Sequence, residues 1–145
     1  MLVLFNSKTP QYKWLSNFYN CPLTVKMQCG EMDFECAEAA YQCAKMHVRT
    51  PATVERWQHM DGLQAKEAGK HLIPRDGWDL IKLDVMSHII YAKFQDSKLR
   101  FLLRQTLQDN LMHLSPWDTF WGVDKNLNGQ NHLGLIIMSV REELK

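Results

Sequence analysis

The stretch FECAEAAYQCAKM, residues 34–46, constrains the fold more than any other part of the sequence. Its alanines predict a helix over residues 36–47, yet it has no Leu, Ile or Val with which a helix usually packs into a core. The long side chains are instead Glu38, Tyr41, Gln42 and Lys45, whose spacing places them on one helix face. Small Ala and Cys side chains let the rest of the helix lie close to its neighbours. This pattern favours a helix that lines a pocket; the alternative is a solvent-exposed polar face with Glu–Lys pairing.

Helical patterns dominate the rest of the chain. They cover five segments: TPATVERWQHM, GLQAKEAGKHL, residues 76 to about 95, SKLRFLLRQTLQ and LGLIIMSVREELK. Thr50 is expected to cap the first of these, with Pro51 at its first helical position, and Asp76 is expected to cap the third. The third also carries an apolar stripe at three- and four-residue steps, formed by Leu80, Leu83, Met86, Ile90 and Phe94.

The strand signals are short. VLF near residues 3–5 and LMHLS predict single strands, and LTVKM and MDFE on either side of Gly30 predict a hairpin. Residues 116–131 are rich in Gly, Asn and Asp and predict a loop. A chain of 145 residues is long enough for one ordinary domain. We therefore expect a mainly α fold, one compact domain over residues 1–145 with a small antiparallel β element.

Charge and hydropathy narrow the cellular setting. With 17 basic and 16 acidic residues, the net charge of +1 argues against a protein that holds nucleic acid by charge alone. The N-terminus has no charged segment ahead of its short apolar run, so no signal peptide is expected. The longest later apolar run, LGLIIM, is far shorter than a membrane span. We expect a cytoplasmic protein with no membrane partner.

The cysteines and histidines do not form a metal-binding pattern. Cys21, Cys29, Cys36 and Cys43 include no C-x-x-C pair, and the six histidines include no H-x-x-x-H pair. Cys36 and Cys43 would lie about 10 Å apart along a helix. We expect reduced, mostly buried thiols, no metal and no cofactor.

Two loop segments carry unusual polar residues beside aromatic ones. DTFWG and the loop up to NHLG hold Asp118, Trp121 and Asn131, and long loops in small domains are often functional. Trp121 is either a pocket residue or a core residue. WLSNF places Ser16 and Asn17 beside a possible stacking surface.

A basic segment precedes the long helix. In RDGW, Arg75 and Trp78 stand at a predicted helix start, where backbone N–H groups favour an anion, and Lys66 and Lys70 lie upstream. This segment predicts a phosphate site; the alternative is a solvated basic edge.

With these segments in place, the chain resembles the YbiA/NADAR family of N-glycosidases. The matching pieces, in order, are WLSNFYNCPL, CAEAAYQCAK, residues 66–78, YAKF and SPWDTFWGVDKNLNGQNHLGLIIMSVR. They cover nearly the whole chain, and the first and last are long enough to be specific. The resemblance implies a compact, mostly helical fold and cleavage of a ribose–nitrogen bond. The sequence departs from the family pattern at Ala39, because members often have His directly after the glutamate that matches Glu38. A role of that His in substrate choice is therefore not implied for this chain.

The implied chemistry assigns roles to the candidate residues. Glu38 is the expected acid/base and Asp118 the second carboxylate, because the departing amine must be protonated and positive charge on the sugar stabilised. Alternatively, the ribose ring opens to an imine that Lys45 captures as a Schiff base. The expected substrate-binding residues are Phe18, Trp78 and Trp121 for stacking, Ser16, Asn17, Gln42 and Asn131 for polar contacts, and Lys66 and Arg75 for phosphate.

Three functions are compatible with the resemblance. The first is removal of ADP-ribose from guanine in DNA or RNA, preferred because the chain is short and has no companion domain of riboflavin synthesis. The second is an N-glycosidase acting on a small ribosylamine metabolite, a phosphoribosylamino-pyrimidine intermediate of riboflavin synthesis. The third is a non-catalytic module that binds ADP-ribose or NAD, which Ala39 supports. The sequence indicates no oligomeric state.

Overall fold

Six α-helices and two small sheets make up the structure, a computed structural model that describes residues 1–145. The strands are β1 (Leu2–Phe5), β2 (Leu23–Met27), β3 (Gly30–Phe34) and β4 (Asn110–His113). The helices are α1 (Ala37–Ala44), α2 (Pro51–Gln58), α3 (Gly62–Gly69), α4 (Trp78–Lys93), α5 (Ser97–Gln105) and α6 (His132–Glu143). A short 3₁₀ turn covers Lys13–Leu15. The predicted mainly α fold with a small β element is confirmed.

Backbone contacts divide the chain into two compact units. One comprises Asn17–Lys93, with the β2–β3 hairpin and α1 to α4. The other comprises Met1–Ser16 and Phe94–Lys145, with β1, β4, α5 and α6. The predicted antiparallel hairpin is confirmed, with Leu23 opposite Phe34. The β1–β4 pair is parallel, with Leu2 opposite Asn110, which the sequence analysis did not anticipate.

Helix α1 is the centre of the Asn17–Lys93 unit. All eight of its residues are buried, and α2, α3 and α4 pack against it. Its small side chains permit this close approach, as predicted, and two glycines of α3 contribute to it. A Cβ added at Gly62 would overlap Phe18, and one added at Gly69 would overlap Gln42. The alternative of a solvent-exposed polar face on α1 is therefore wrong.

The helix starts follow the capping signals only in part. Thr50 accepts a hydrogen bond from the Thr53 backbone N–H in a capping box, and Pro51 is the first residue of α2, as predicted. The predicted cap at Asp76 is wrong: its side chain makes no capping bond, and α4 begins two residues later. Gly77 adopts a left-handed φ of 74°, which keeps the chain out of the helix until Trp78.

The predicted stripe on α4 is half right. Met86, Ile90 and Phe94 are buried, but Leu80 is 88% exposed and Leu83 is 38% exposed. The first turns of α4 therefore present the stripe to solvent, and only the later turns pack into the core.

Hydrogen bonds of the buried Arg141 side chain stabilise the unit that contains both termini. The Arg141 guanidinium on α6 donates to Thr106 Oγ1 at 2.9 Å and to the Asp109 carbonyl at 3.0 Å.

Between β4 and α6 the predicted loop is confirmed, since it contains no helix or strand apart from an isolated bridge of Leu114 to Val123. No helix in the chain combines the length and apolarity needed to cross a membrane.

Candidate functional site

Glu38 lies in the first turn of α1 and is held at both its backbone and its side chain. Its backbone N–H donates to the Asn17 carbonyl at 3.0 Å. Its carboxylate Oε1 accepts a 2.7 Å hydrogen bond from the Gln42 side-chain amide one turn later. Only 7% of Glu38 is exposed. The carboxylate is therefore a buried and oriented group, which suits proton transfer better than a freely rotating surface acid.

Gln42 is positioned in turn by α3. Its amide oxygen and Cδ lie where a side chain on Gly69 would begin, so only glycine at that position leaves room for the amide. The Gln42 Oε1 atom is buried and has no hydrogen-bond partner within the protein. A buried amide oxygen without a partner is an uncommon feature and leaves an acceptor beside the Glu38 carboxylate.

An aromatic pair flanked by two cations continues from this helix. The Tyr41 and Trp78 rings have centroids 5.4 Å apart at an interplanar angle of 55°. Lys45 Nζ lies 5.6 Å from the Tyr41 ring centroid, and Arg75 Cζ lies 5.6 Å from the Trp78 ring centroid. The Arg75 backbone N–H also donates to the Lys45 carbonyl at 2.8 Å. The structure therefore brings Lys45, Arg75 and Trp78 together around the end of α1.

The predicted WLSNF residues divide between the two units. Asn17 is buried, its Nδ2 donates to Met86 Sδ at 3.5 Å, and its Oδ1 has no partner. Phe18 is half-buried and packs on Gly62 of α3. Ser16 is buried in the other unit, where its backbone N–H closes the 3₁₀ turn. Asn17 thus contributes to the environment of Glu38 through its backbone carbonyl.

The predicted loop residues lie in the unit with the termini. Asp118 Oδ1 accepts hydrogen bonds from the backbone N–H groups of Phe120 and Trp121, both at 3.2 Å. Trp121 is half-buried and packs edge-on to Phe120. Asn131 is buried with φ of 52°; its Oδ1 accepts from the His113 N–H at 2.9 Å and its Nδ2 donates to the Leu111 carbonyl at 3.0 Å. Both polar ends of the Asn131 amide are therefore bonded to strand β4.

The NADAR domain family matches residues 4–145 of this sequence. The chain belongs to the NADAR family. Its relatives include the N-glycosidase Npun_R5314 of Nostoc punctiforme, 42% identical over 72 residues that make up 49% of this chain and 46% of that protein. The riboflavin biosynthesis protein VVA0006 of Vibrio vulnificus is 33% identical over an alignment of 147 positions, which covers 99% of this chain and 38% of that protein. The N-glycosidase YbiA of Shigella flexneri is 38% identical over 71 residues, or 48% of this chain and 44% of that protein.

These matches span less than half the length of each of the three curated relatives. The NMR structure of the Escherichia coli protein YbiA superposes with a TM-score of 0.82 at 27% identity, covering 99% of this chain and 84% of that one. The family resemblance drawn from the motifs is therefore confirmed.

The NADAR chain also contains two basic residues that the sequence analysis did not single out. Lys93 ends α4 and is 1% exposed; burial lowers its pKa to about 8, while the nearby thiols of Cys21 and Cys36 act in the opposite direction. Its place three residues after Ile90 on the buried face of α4 is the sequence signal that could have found it. Arg49 is the second such residue. Lys66, which was predicted to bind phosphate, is an exposed residue of α3.

Proposed function

We propose that this NADAR protein is an N-glycosidase that hydrolyses the bond between a ribose carbon and an exocyclic amine, and that its substrate is guanine carrying ADP-ribose in nucleic acid. The observation that supports the activity is the buried Glu38 carboxylate, oriented by the Gln42 amide at 2.7 Å. Relatives that are named N-glycosidases align with this chain over about half its length.

Glu38 acts as the acid/base in this proposal. The reaction breaks the carbon–nitrogen bond, adds a hydroxyl from water to the sugar carbon and leaves a proton on the departing amine. A carboxyl group donates that proton and, once ionised, accepts one from the attacking water. The role of Asp118 as a second carboxylate stays a prediction; in its own unit, its Oδ1 accepts from the backbone N–H groups of Phe120 and Trp121.

Lys45 supplies the alternative route to the same products. Its ammonium group lies over the Tyr41 ring, one helix turn from Gln42, on the side of α1 that carries Glu38. After the ribose ring opens to an imine, the lysine amine exchanges with the departing amine to form a Schiff base, which water then hydrolyses. Glu38 would move protons in both routes, so the two routes differ only in whether Lys45 becomes covalently attached.

The second candidate substrate is a phosphoribosylamino-pyrimidine. It is favoured by the riboflavin biosynthesis protein VVA0006, because that alignment spans 99% of this chain. Both candidates carry a ribose on an exocyclic amine and a phosphate on the sugar side, so the same groups of the protein serve either. A third candidate is a module that binds ADP-ribose without cleaving it, which Ala39 in place of the common His supports.

Parallel incubations distinguish the three candidates. Wild-type protein and Glu38→Gln are incubated with a guanine-ADP-ribosylated oligonucleotide and, separately, with the phosphoribosylamino-pyrimidine, and the released sugar phosphate is measured. Release of ADP-ribose by the wild type alone supports the first candidate. Cleavage of the pyrimidine alone moves the assignment to the second. Tight binding with no release by either protein supports the binding module.

A further inference from the structure

Arg49 and Arg75 are brought together at the end of α1 although they are 26 positions apart in the sequence. The Arg49 guanidinium donates to the carbonyl of Met46, and the Arg75 backbone N–H donates to the carbonyl of Lys45. These acceptors are consecutive residues of one helix end. The Arg49 guanidinium and the Arg75 backbone therefore lie at the same end of α1 in the Asn17–Lys93 unit.

No carboxylate neutralises this pair. Neither arginine forms an ion pair, and the salt bridges of α3 and α4 join Lys70 to Glu67 and Lys82 to Asp79. The Arg75 Nε–H is buried and has no acceptor, although its guanidinium carbon lies over the Trp78 ring. Burial and the charge of Arg49 both lower the pKa of Arg75, as expected for a cation without a counter-ion. A buried guanidinium N–H beside a second guanidinium is the environment that an anion would complete.

We propose that Arg49 and Arg75 form a binding site for a phosphate group, next to the Tyr41–Trp78 aromatic pair. The inference rests on the proposed function, because it assigns this site to the phosphate of the ribosylated substrate. Arginine suits the role because its planar set of N–H donors matches phosphate oxygens. The phosphate belongs either to the substrate's own nucleotide or to a nucleic-acid backbone, and the chemistry of recognition is the same. Arg49 replaces the exposed Lys66 as the partner of Arg75.

Calorimetric titration tests this site without any catalytic turnover. The wild type, Arg49→Gln and Arg56→Gln are titrated with ADP-ribose, ribose 5-phosphate, adenosine and an unmodified oligonucleotide. Arg56 is a matched control, since its guanidinium carbon also lies over a tryptophan ring, 5.4 Å from the centroid of Trp57, but it stands on α2 outside the pair. Arg49→Gln also removes the hydrogen bond from Arg49 to the end of α1. Arg49→Lys keeps the positive charge, so comparing the two variants separates the loss of charge from loosening of α1.

Arg49→Gln is expected to weaken binding of the phosphate-bearing ligands by about tenfold or more and to reduce the salt dependence of that binding. Arg56→Gln should match the wild type, and adenosine should bind all variants equally. Weakening confined to the oligonucleotide would assign the site to backbone phosphate; weakening for ADP-ribose and ribose 5-phosphate would assign it to the substrate's own phosphate.

Equal binding by Arg49→Gln and Arg56→Gln would overturn the proposal, as would a wild type that binds none of the phosphate probes at millimolar concentration. The measurement uses unreactive ligands, so it is separate from any failure of the proposed cleavage. An intact phosphate site in a protein without turnover would refute the glycosidase and leave this inference standing.

Discussion

The side-chain amide of Gln42 donates a 2.7 Å hydrogen bond to the carboxylate of Glu38, one turn earlier on α1. The amide itself lies against Gly69 of α3, at a distance that leaves no room for a Cβ. Gly69 on α3 therefore leaves the space that the Gln42 amide occupies on α1, and that amide orients the Glu38 carboxylate. Gly69 is a positioning residue in this account, and Glu38 is the group that contacts substrate.

Gly69→Ala should lower kcat, because the added methyl would displace the Gln42 amide and release the Glu38 carboxylate. A small misplacement of a catalytic group can cost about 10- to 100-fold in rate. The measurement is a double-mutant cycle with Gln42→Ala, which vacates the space that the new methyl needs.

In the Gln42→Ala background, adding Gly69→Ala should change kcat by less than about twofold, since the contact through which it acts is gone. Equal losses in both backgrounds would show that Gly69 acts through packing of α3 alone. Unfolding by urea provides the control for stability in each variant.

Lys45 should become covalently attached to substrate if the Schiff-base route operates. Borohydride added during turnover would reduce the imine and add the mass of the sugar phosphate to the peptide that contains Lys45. Lys45→Arg retains the charge and should give no adduct. Turnover without any adduct would favour direct hydrolysis, and an adduct on Lys93 would move the nucleophile to the buried end of α4.

Asn131→Ala should destabilise the protein. The substitution removes two buried hydrogen bonds to β4 and places Ala at a left-handed φ of 52°, so we expect a loss of about 2–4 kcal/mol in the free energy of unfolding. Urea unfolding measures this loss. Asn126→Ala, at an exposed position of the same loop, is the control and should change stability by less than about 0.5 kcal/mol. An unchanged stability together with a raised KM would contradict this structural role and support the predicted role of Asn131 in substrate binding.

The free energy of unfolding should depend on pH through the ionisation of Lys93. Burial lowers the pKa of Lys93 from 10.5 to about 8, so between these values the unfolded chain holds a proton that the folded chain has released. The contribution of Lys93 to the free energy of unfolding therefore rises with pH across this window. The thiols act oppositely, because burial raises the pKa of Cys36 to about 11 and of Cys43 to about 12, and their contribution falls above their unfolded value of 9.0.

Lys93→Met isolates the contribution of Lys93 to the pH dependence of stability, since both proteins retain the thiols. Wild-type stability minus variant stability should increase by about 1–2 kcal/mol between roughly pH 7.5 and roughly pH 9.5. Urea unfolding at several pH values gives this difference. A difference that stays flat or falls as pH rises would contradict the buried, proton-releasing lysine.

The sequence predicted the elements well where local signals agree with packing. The α1 pattern of small residues with one polar face, the N-cap at Thr50 and the Gly30 hairpin all belong to this class. The predicted cap at Asp76 was wrong because the left-handed Gly77 delays the start of α4 to Trp78. The predicted burial of Leu80 was wrong because the first turn of α4 is exposed to solvent. Periodicity alone reveals neither feature. The parallel pairing of β1 with β4 joins segments more than 100 residues apart, and no local pattern encodes it.

The candidate site was predictable along α1 and less so across elements. Helical spacing alone placed Glu38 beside Gln42. The contact of Gln42 with Gly69 and the meeting of Arg49 with Arg75 depend on how separate segments fold onto one helix. Lys93 was missed although its place three residues after Ile90, on the buried face of α4, is a sequence signal for its burial.

The rate of ribose–amine cleavage by Glu38→Gln tests the central claim most directly. The substitution keeps the size of the side chain and an oxygen that can accept from Gln42, while it removes the charge and the proton-transfer function of the carboxyl group. On whichever substrate the wild type cleaves, kcat should fall by about 100-fold or more while substrate affinity is retained. A kcat within about threefold of the wild type would show that Glu38 is not the acid/base and would contradict the account.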